Sequence, residues 1–206
     1  MFNVITGFIP CDSGSAQFHG KDITRKSPDK IASLGISRTF QILRLIRQMT
    51  VLENVLLSFK NQPGEHLRNA FLKRKNSEHV EKINREKSLS LLEYAGIIDK
   101  ANDLANDLSY GQQKLLSIVC CLASDPDLLL LDEPVAGINP AFIDKILSII
   151  SELTEKGKSV ILIEHNMEVI MHLCKRVIFM DAGAKVSEGT PDEVRNDPRV
   201  IEAYLD

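Results

Sequence analysis

Leu128-Leu129-Leu130-Leu131-Asp132-Glu133-Pro134 is the stretch whose reading decides the fold. Four leucines in succession leave no polar face, so the strand they form must be covered on both sides, as strands of parallel sheets are. Pro134 stops that strand and leaves two carboxylates at its end. In open α/β sheets, ligands lie beyond the carboxyl ends of such strands. Asp132 and Glu133 therefore stand where a ligand would sit; the competing reading is a strand that ends in a solvated acidic turn.

Downstream, short apolar runs at residues 159–163 and 177–180 are separated by helical patterns at 140–156 and 166–174. Strands alternating with helices predict a parallel sheet with covered faces. Residues 184–187 add a last strand, and two short helices follow with Pro191 and Pro198 near their starts. Upstream, residues 15–19 form a short strand between the turn signals Asp12-Ser13-Gly14 and Gly20-Lys21-Asp22. Residues 28–34 read as a helix closed by Gly35, and 36–40 as extended. Thr50-Val51-Leu52-Glu53 is a capping box opening a helix to about residue 59. The polar, basic segment 61–76 reads as a loop and frayed helix, and 77–94 as a helix ended by Gly96. Residues 50–108 are thus nearly all helix.

Composition narrows the function classes. The 206 residues are 44% hydrophobic and 5% aromatic without Trp, which predicts one large domain or a domain with a subdomain around an aliphatic core. A formal charge of −3 gives no reason to expect nucleic-acid binding. No apolar stretch approaches the roughly 18 residues of a membrane span, and residues 1–10 lack the basic start and small-residue site of a secretion signal. Cys11, Cys120, Cys121 and Cys174 lack zinc spacing, which fits a reduced, cytosolic chain.

A second chemical segment lies upstream of the leucine strand: Leu108-Ser109-Tyr110-Gly111-Gln112-Gln113. Asp125-Pro126 breaks the helix carrying Leu115, Leu116, Val119 and Leu122, so that helix opens near Ser109. Ser109 can cap it, and Gly111 lets backbone N–H groups approach an anion. The helix dipole contributes only about 0.3–1 kcal/mol, so N–H groups and the Ser109 hydroxyl must do most of such binding. An ordinary capped helix is the alternative. Asp132 can hold Mg2+, directly or through water, while Glu133 orients or deprotonates a water. Together the two segments suggest binding and splitting of a nucleoside triphosphate. His165, after the strand at 159–163, can contact a γ-phosphate or serve as a capping or core histidine. Gln41 can ligate Mg2+ or orient water, or be a plain loop residue.

Gln41, the helix opening at 109, Asp132-Glu133, Ala136-Gly137-Ile138-Asn139 and His165 occur in one order, and that order resembles the ATP-binding subunit of ABC transporters over essentially the whole chain. The resemblance implies a P-loop NTPase-like α/β core with an inserted helical subdomain: residues 50–125 as that subdomain, 126–206 as the C-terminal half of the core, and 1–206 as a single ATPase domain. It implies that Ser109, Gly111 and Gln112 are the signature, Asp132 the Walker B aspartate and Glu133 the catalytic glutamate. Gln41 then matches the Q-loop glutamine, Asn139 lies in the D-loop, and His165 is the switch histidine. ATP and Mg2+ are the implied cofactors. The implied partners are a second ATPase subunit forming a two-subunit sandwich and transmembrane permease subunits at the inner face of the membrane. A periplasmic or extracellular solute-binding protein is engaged indirectly.

Gly35-Ile36-Ser37-Arg38-Thr39-Phe40-Gln41, Met49 to Val55, Glu164-His165-Asn166-Met167 and the tail Ile201-Glu202-Ala203-Tyr204-Leu205 resemble the branched-chain amino acid importers within that family. Urea and lipid-transport ATPases share parts of these motifs.

The pattern departs from the family in two places. No G-x-x-x-x-G-K-[ST] occurs in residues 1–206. Gly157-Lys158-Ser159 follows a helix and precedes a strand, the reverse of the required context, and Gly157 reads as a helix C-cap. Phe2-Asn3-Val4-Ile5-Thr6-Gly7-Phe8 resembles the helix directly after the missing loop, so the expectation is an N-terminally truncated ATPase that binds ATP weakly by itself. Its rival is a non-hydrolysing remnant offering only its signature to a partner. A metal-dependent phosphohydrolase using Asp132 and Glu133 has no further carboxylate or His cluster to support it. Cys120-Cys121 stands where the family has Arg-Ala.

Overall fold

The computed structural model describes residues 1–60 and 74–205. It divides into two compact units, Met1–Leu162 and Ile163–Asp206.

The first unit opens with α1 (Phe2–Ile5) and the hairpin β1 (Gln17–Phe18) and β2 (Lys21–Asp22). Lys21-Asp22, expected in a turn, is a strand. His19 and Gly20 take up the turn instead, at φ 49° and 72°, which frees the following residues to pair. Next come α2 (Pro28–Ser33) and β3 (Ile36–Arg38), with Gly35 at φ 105° between them. Then follow α3 (Val51–Leu56), α4 (Arg74–Tyr94), α5 (Tyr110–Ala123), β4 (Leu128–Asp132), α6 (Pro140–Glu155) and β5 (Ser159–Ile163). The expected loop at 61–76 lies largely outside the described residues.

The sheet order is β3-β4-β5. β3 and β4 run parallel, with Ile36 opposite Leu128, Ser37 opposite Leu129 and Arg38 opposite Leu130. All four leucines of β4 are buried, and the pleat sends them alternately to two cores. Leu128 and Leu130 join Phe2, Ile23, Ile31 and Ile36. Leu129 faces Leu91, Leu122 and Leu153 around a cavity of about 300 Å3. Among the described residues, the covered faces expected of every strand are realised only at β4. β5 alternates instead and leaves Ile161 exposed, because only a central strand has both faces occupied.

The capping box of α3 is formed: Glu53 N–H donates to Thr50 Oγ1 (3.2 Å) and Thr50 N–H to Glu53 Oε2 (2.8 Å). The helix stops at Leu56 rather than near 59, as Ser58 N–H turns back to the Val55 carbonyl. Val51 and Leu52 N–H groups donate to the carbonyls of Asp103 and Ala101, which satisfies the first turn from outside. Buried Asn54 ties the preceding loop down, accepting from Ile46 N–H (2.8 Å) and donating to Ile46 O (3.1 Å).

The second unit contains α7 (Met167–Leu173), the antiparallel pair β6 (Val177–Asp181) and β7 (Ala184–Gly189), α8 (Pro191–Arg195) and α9 (Pro198–Leu205). β6 was expected in the parallel sheet, but it pairs with β7 in a two-stranded sheet of its own. The turn at Ala182-Gly183, with φ 45° and 82°, makes that local pairing immediate. Ile178 and Met180 of β6 are exposed. Among the described residues no helix is long and apolar enough to cross a membrane.

Candidate functional site

The end of β4 is held from two sides. Thr39 N–H donates to the Leu130 carbonyl (2.9 Å), continuing the parallel register by one residue. The Thr39 hydroxyl then accepts from Asp132 N–H at 3.1 Å. That register also carries Arg38 to the Asp132 carboxylate, with Nη2 at 3.2 Å from Oδ2. Glu133 follows at φ 47°, a left-handed conformation uncommon for a side chain of its size. Its carbonyl accepts from the ammonium of buried Lys114 on α5.

The start of α5 is built differently. Ser109 is its N-cap, and a second capping box is closed there. Gln112 N–H donates to Ser109 Oγ (3.4 Å), and Ser109 N–H donates to Gln112 Oε1 (2.9 Å). Ser109 and Tyr110 are exposed, while Gly111 is buried. Expected to admit an anion, Gly111 is also required by packing: a Cβ there would lie 2.7 Å from Cδ2 of Phe142 on α6. Asn139 caps α6, its Oδ1 accepting from Phe142 N–H at 3.2 Å. The Tyr110 ring lies beside Gly137, within 3.5 Å of where a Cβ would stand. The structure thus brings residues 109–114 and 133–142 together.

Gln41 lies three residues beyond Arg38 and is exposed. His165 belongs to the second unit, exposed and directly before Asn166, which caps α7 by accepting from Glu168 N–H at 3.0 Å. Sequence reasoning missed Arg38 and Lys114 as parts of the site. Arg38 had a readable signal: it sits two positions from Ile36 on a strand, hence on the same buried face, where a guanidinium needs an anion. Lys114 is likewise four positions before Ile118 on the buried stripe of α5.

Gly157 is the residue after the C-cap of α6, at φ 81°, and Lys158 pairs with Asp125 at 2.7 Å. Gly157-Lys158-Ser159 is therefore a helix-to-strand connection. Cys120 and Cys121 lie on α5, where burial pushes the Cys120 thiol up to about 11 and the Cys121 thiol up further.

The family's ligands can be tested against these residues. At the start of α5 the capping box engages the N–H groups of Ser109 and Gln112, and the exposed Ser109 hydroxyl is what that surface offers an anion. Asp132 as placed does not fit a divalent cation, because its carboxylate is already engaged by a guanidinium.

Comparison with known proteins agrees with the fold. Residues 1–136 match the family model described as ABC transporter, and residues 184–205 match that described as Branched-chain amino acid ATP-binding cassette transporter. The high-affinity branched-chain amino acid transport ATP-binding protein LivG of Salmonella typhimurium is 35% identical over 206 residues, covering 100% of this chain and 81% of that protein. The probable branched-chain amino acid transport ATP-binding protein LivG of Archaeoglobus fulgidus is 36% identical over 203 residues, 98% of this chain and 78% of that protein. Among solved structures, a nucleotide-free ATP-binding cassette from an ABC transporter superposes with a TM-score of 0.83 at 34% identity, covering 99% of this chain and 81% of that one. The ADP conformation of an ATP-binding cassette gives 0.80 at 34% identity, with the same coverage. The chain belongs to the ABC transporter family, as an ATP-binding cassette of its branched-chain amino acid group.

Proposed function

We propose that this chain is the ATP-binding and ATP-hydrolysing subunit of an importer for branched-chain amino acids. It works with a second cassette subunit and with transmembrane permease subunits at the inner face of the membrane, and engages a solute-binding protein only through them. The observation that carries the solute is the match of residues 184–205, outside the sheet of the first unit, to the branched-chain amino acid model.

In this reading residues 50–125 are the helical subdomain and 126–206 the C-terminal half of the core. Ser109, Gly111 and Gln112 face the phosphates of ATP held by the second subunit, and Asn139, close to Gly111 through Phe142, borders the same surface. Glu133 orients or deprotonates the attacking water, and Gln41 and His165 respond to the terminal phosphate. Asp132 and Gln41, which the resemblance assigns to the Mg2+ of the nucleotide, would take that part only once Arg38 had let go of Asp132.

A second reading rests on the exposed, capped start of α5: the chain offers only that segment to a nucleotide held elsewhere. Uptake of labelled leucine by cells expressing the chain with its permeases decides between them. On the first reading Glu133→Gln abolishes uptake. Uptake that survives Glu133→Gln but is lost in Ser109→Asp supports the second, and uptake of urea but not leucine overturns the solute assignment.

A further inference from the structure

On the side of β4 that Leu129 faces lies a cavity of about 300 Å3, walled by Leu91 of α4, Leu122 of α5 and Leu153 of α6. Leu129 and Leu153 are buried, and Leu91 and Leu122 are half-buried. The volume stands at the lower end of those that take small ligands. Leucine side chains give water no hydrogen-bond partner, so the floor favours an aliphatic group. The cavity lies at the base of β4 and the end of α5, whereas Asp132 and Ser109 stand at the other ends of those two elements.

Tyr94 and Lys156 also line it. Lys156 Nζ lies 5.2 Å from the Tyr94 ring centroid, and Lys145 Nζ lies 5.6 Å from the same ring. Lys156 is 66% exposed and meets Glu152 at 3.8 Å, a loose contact for an ion pair. Lys158, by contrast, is held by Asp125 at 2.7 Å. The Tyr94 hydroxyl is buried with no well-aligned hydrogen bond among the described residues. Burial, and the Glu152 carboxylate beside it, push its pKa up to about 12, so it stays a donor at neutral pH. An ammonium and a phenol donor beside a leucine floor complement a ligand with an anionic oxygen at one end and a branched apolar tail at the other.

We propose that this cavity binds a small aliphatic carboxylate, with its tail against the four leucines and its head on the Tyr94 hydroxyl and Lys156. None of these residues is assigned to the nucleotide, so the site stands or falls apart from that reading. Glu152 competes for the same two polar groups, and the ligand's carboxylate takes its place. A simple branched-chain acid and a branched-chain amino acid share this chemistry. The amino acid adds an ammonium, which Asp125, lining the cavity and 88% exposed, can meet.

The test uses the full chain with labelled leucine methyl groups, titrated with isocaproate, L-leucine and the uncharged isohexanol. Isocaproate should shift the methyl signals of Leu122, Leu129 and Leu153 saturably in the millimolar range. Lys156→Gln, a change at an exposed position, should weaken that binding by about tenfold, the low end for losing a bond to a charged group. Glu152→Gln should tighten it by removing the competitor, and neither variant should alter the binding of isohexanol. L-leucine binding that is lost in Asp125→Asn supports the site as one for the amino acid. Isocaproate binding without L-leucine binding supports it as one for an acid that lacks the ammonium. No saturable shift with either carboxylate overturns the proposal. So does isohexanol binding as tightly as isocaproate, with Lys156→Gln without effect on both.

Discussion

The start of α5 and the end of β4 are joined through Lys114, yet they are built on opposite terms. At the start of α5, Ser109 and Gln112 satisfy each other within one turn, and the surface is left open. At the end of β4, the polar groups depend on other elements: Asp132 on Arg38 and Thr39, and the Glu133 carbonyl on Lys114. A self-sufficient cap keeps its geometry whatever its neighbours do, whereas a carboxylate held by a long-range ion pair keeps its place only while the register of β3 and β4 holds. The two halves of the site therefore differ in what positions them, and the difference can be broken experimentally.

The largest effect is expected at the base of β4. Leu130→Ala, at a fully buried position, opens a hole in the core cluster it shares with Phe2 and Ile31 and should lower stability by about 3–4 kcal/mol in denaturant unfolding. A loss below about 1 kcal/mol would show that the end of β4 does not depend on its core. Next is Gly111→Val, whose Cβ collides with the Phe142 ring. It should cost about 2–3 kcal/mol, and less when Phe142→Ala is added, since the two sites share one space.

Smaller effects separate capping from function. Ser109→Ala should cost about 1 kcal/mol by removing the cap. Ser109→Asp should keep stability, because aspartate also caps, while placing a negative charge where phosphate is proposed to bind. Equal loss of stability in both variants would remove the cap from the account.

The smallest effect concerns pH. Hydrogen bonds from the Thr50 N–H and hydroxyl hold the Glu53 carboxyl below its usual value, and those from Thr190 do the same for Glu193. Their folded values lie below their unfolded ones. The stabilisation is therefore complete above the ordinary glutamate range and is lost as pH falls through the lowered values. The cap of α5 uses Gln112, which does not titrate. Acidification should loosen the caps of α3 and α8 while leaving that of α5 intact, as read by protection of the Thr50, Thr190 and Ser109 amides corrected for intrinsic exchange.

Much of this was legible in the chain because it is local. The Thr50–Glu53 box, the Gly35 and Gly157 helix ends, and the strand limits set by Pro126 and Pro134 follow from conformational preferences of a few adjacent residues. Gly111 was legible as a glycine but not for its packing, since Phe142 lies on another helix. The pairing of β6 with β7, rather than with the parallel sheet, escaped because apolar runs signal a strand without naming its neighbour.

By itself the sequence determined which segments become strands and helices, and which residue types stand at their ends. These depend on periodicity, caps and breakers acting over one or two turns. Only the tertiary structure decided that Arg38 reaches Asp132, that Lys114 holds the Glu133 carbonyl and that Phe142 fills the space over Gly111. Those contacts follow from the register between β3 and β4 and from the approach of α5 to α6. Packing between distant segments sets both.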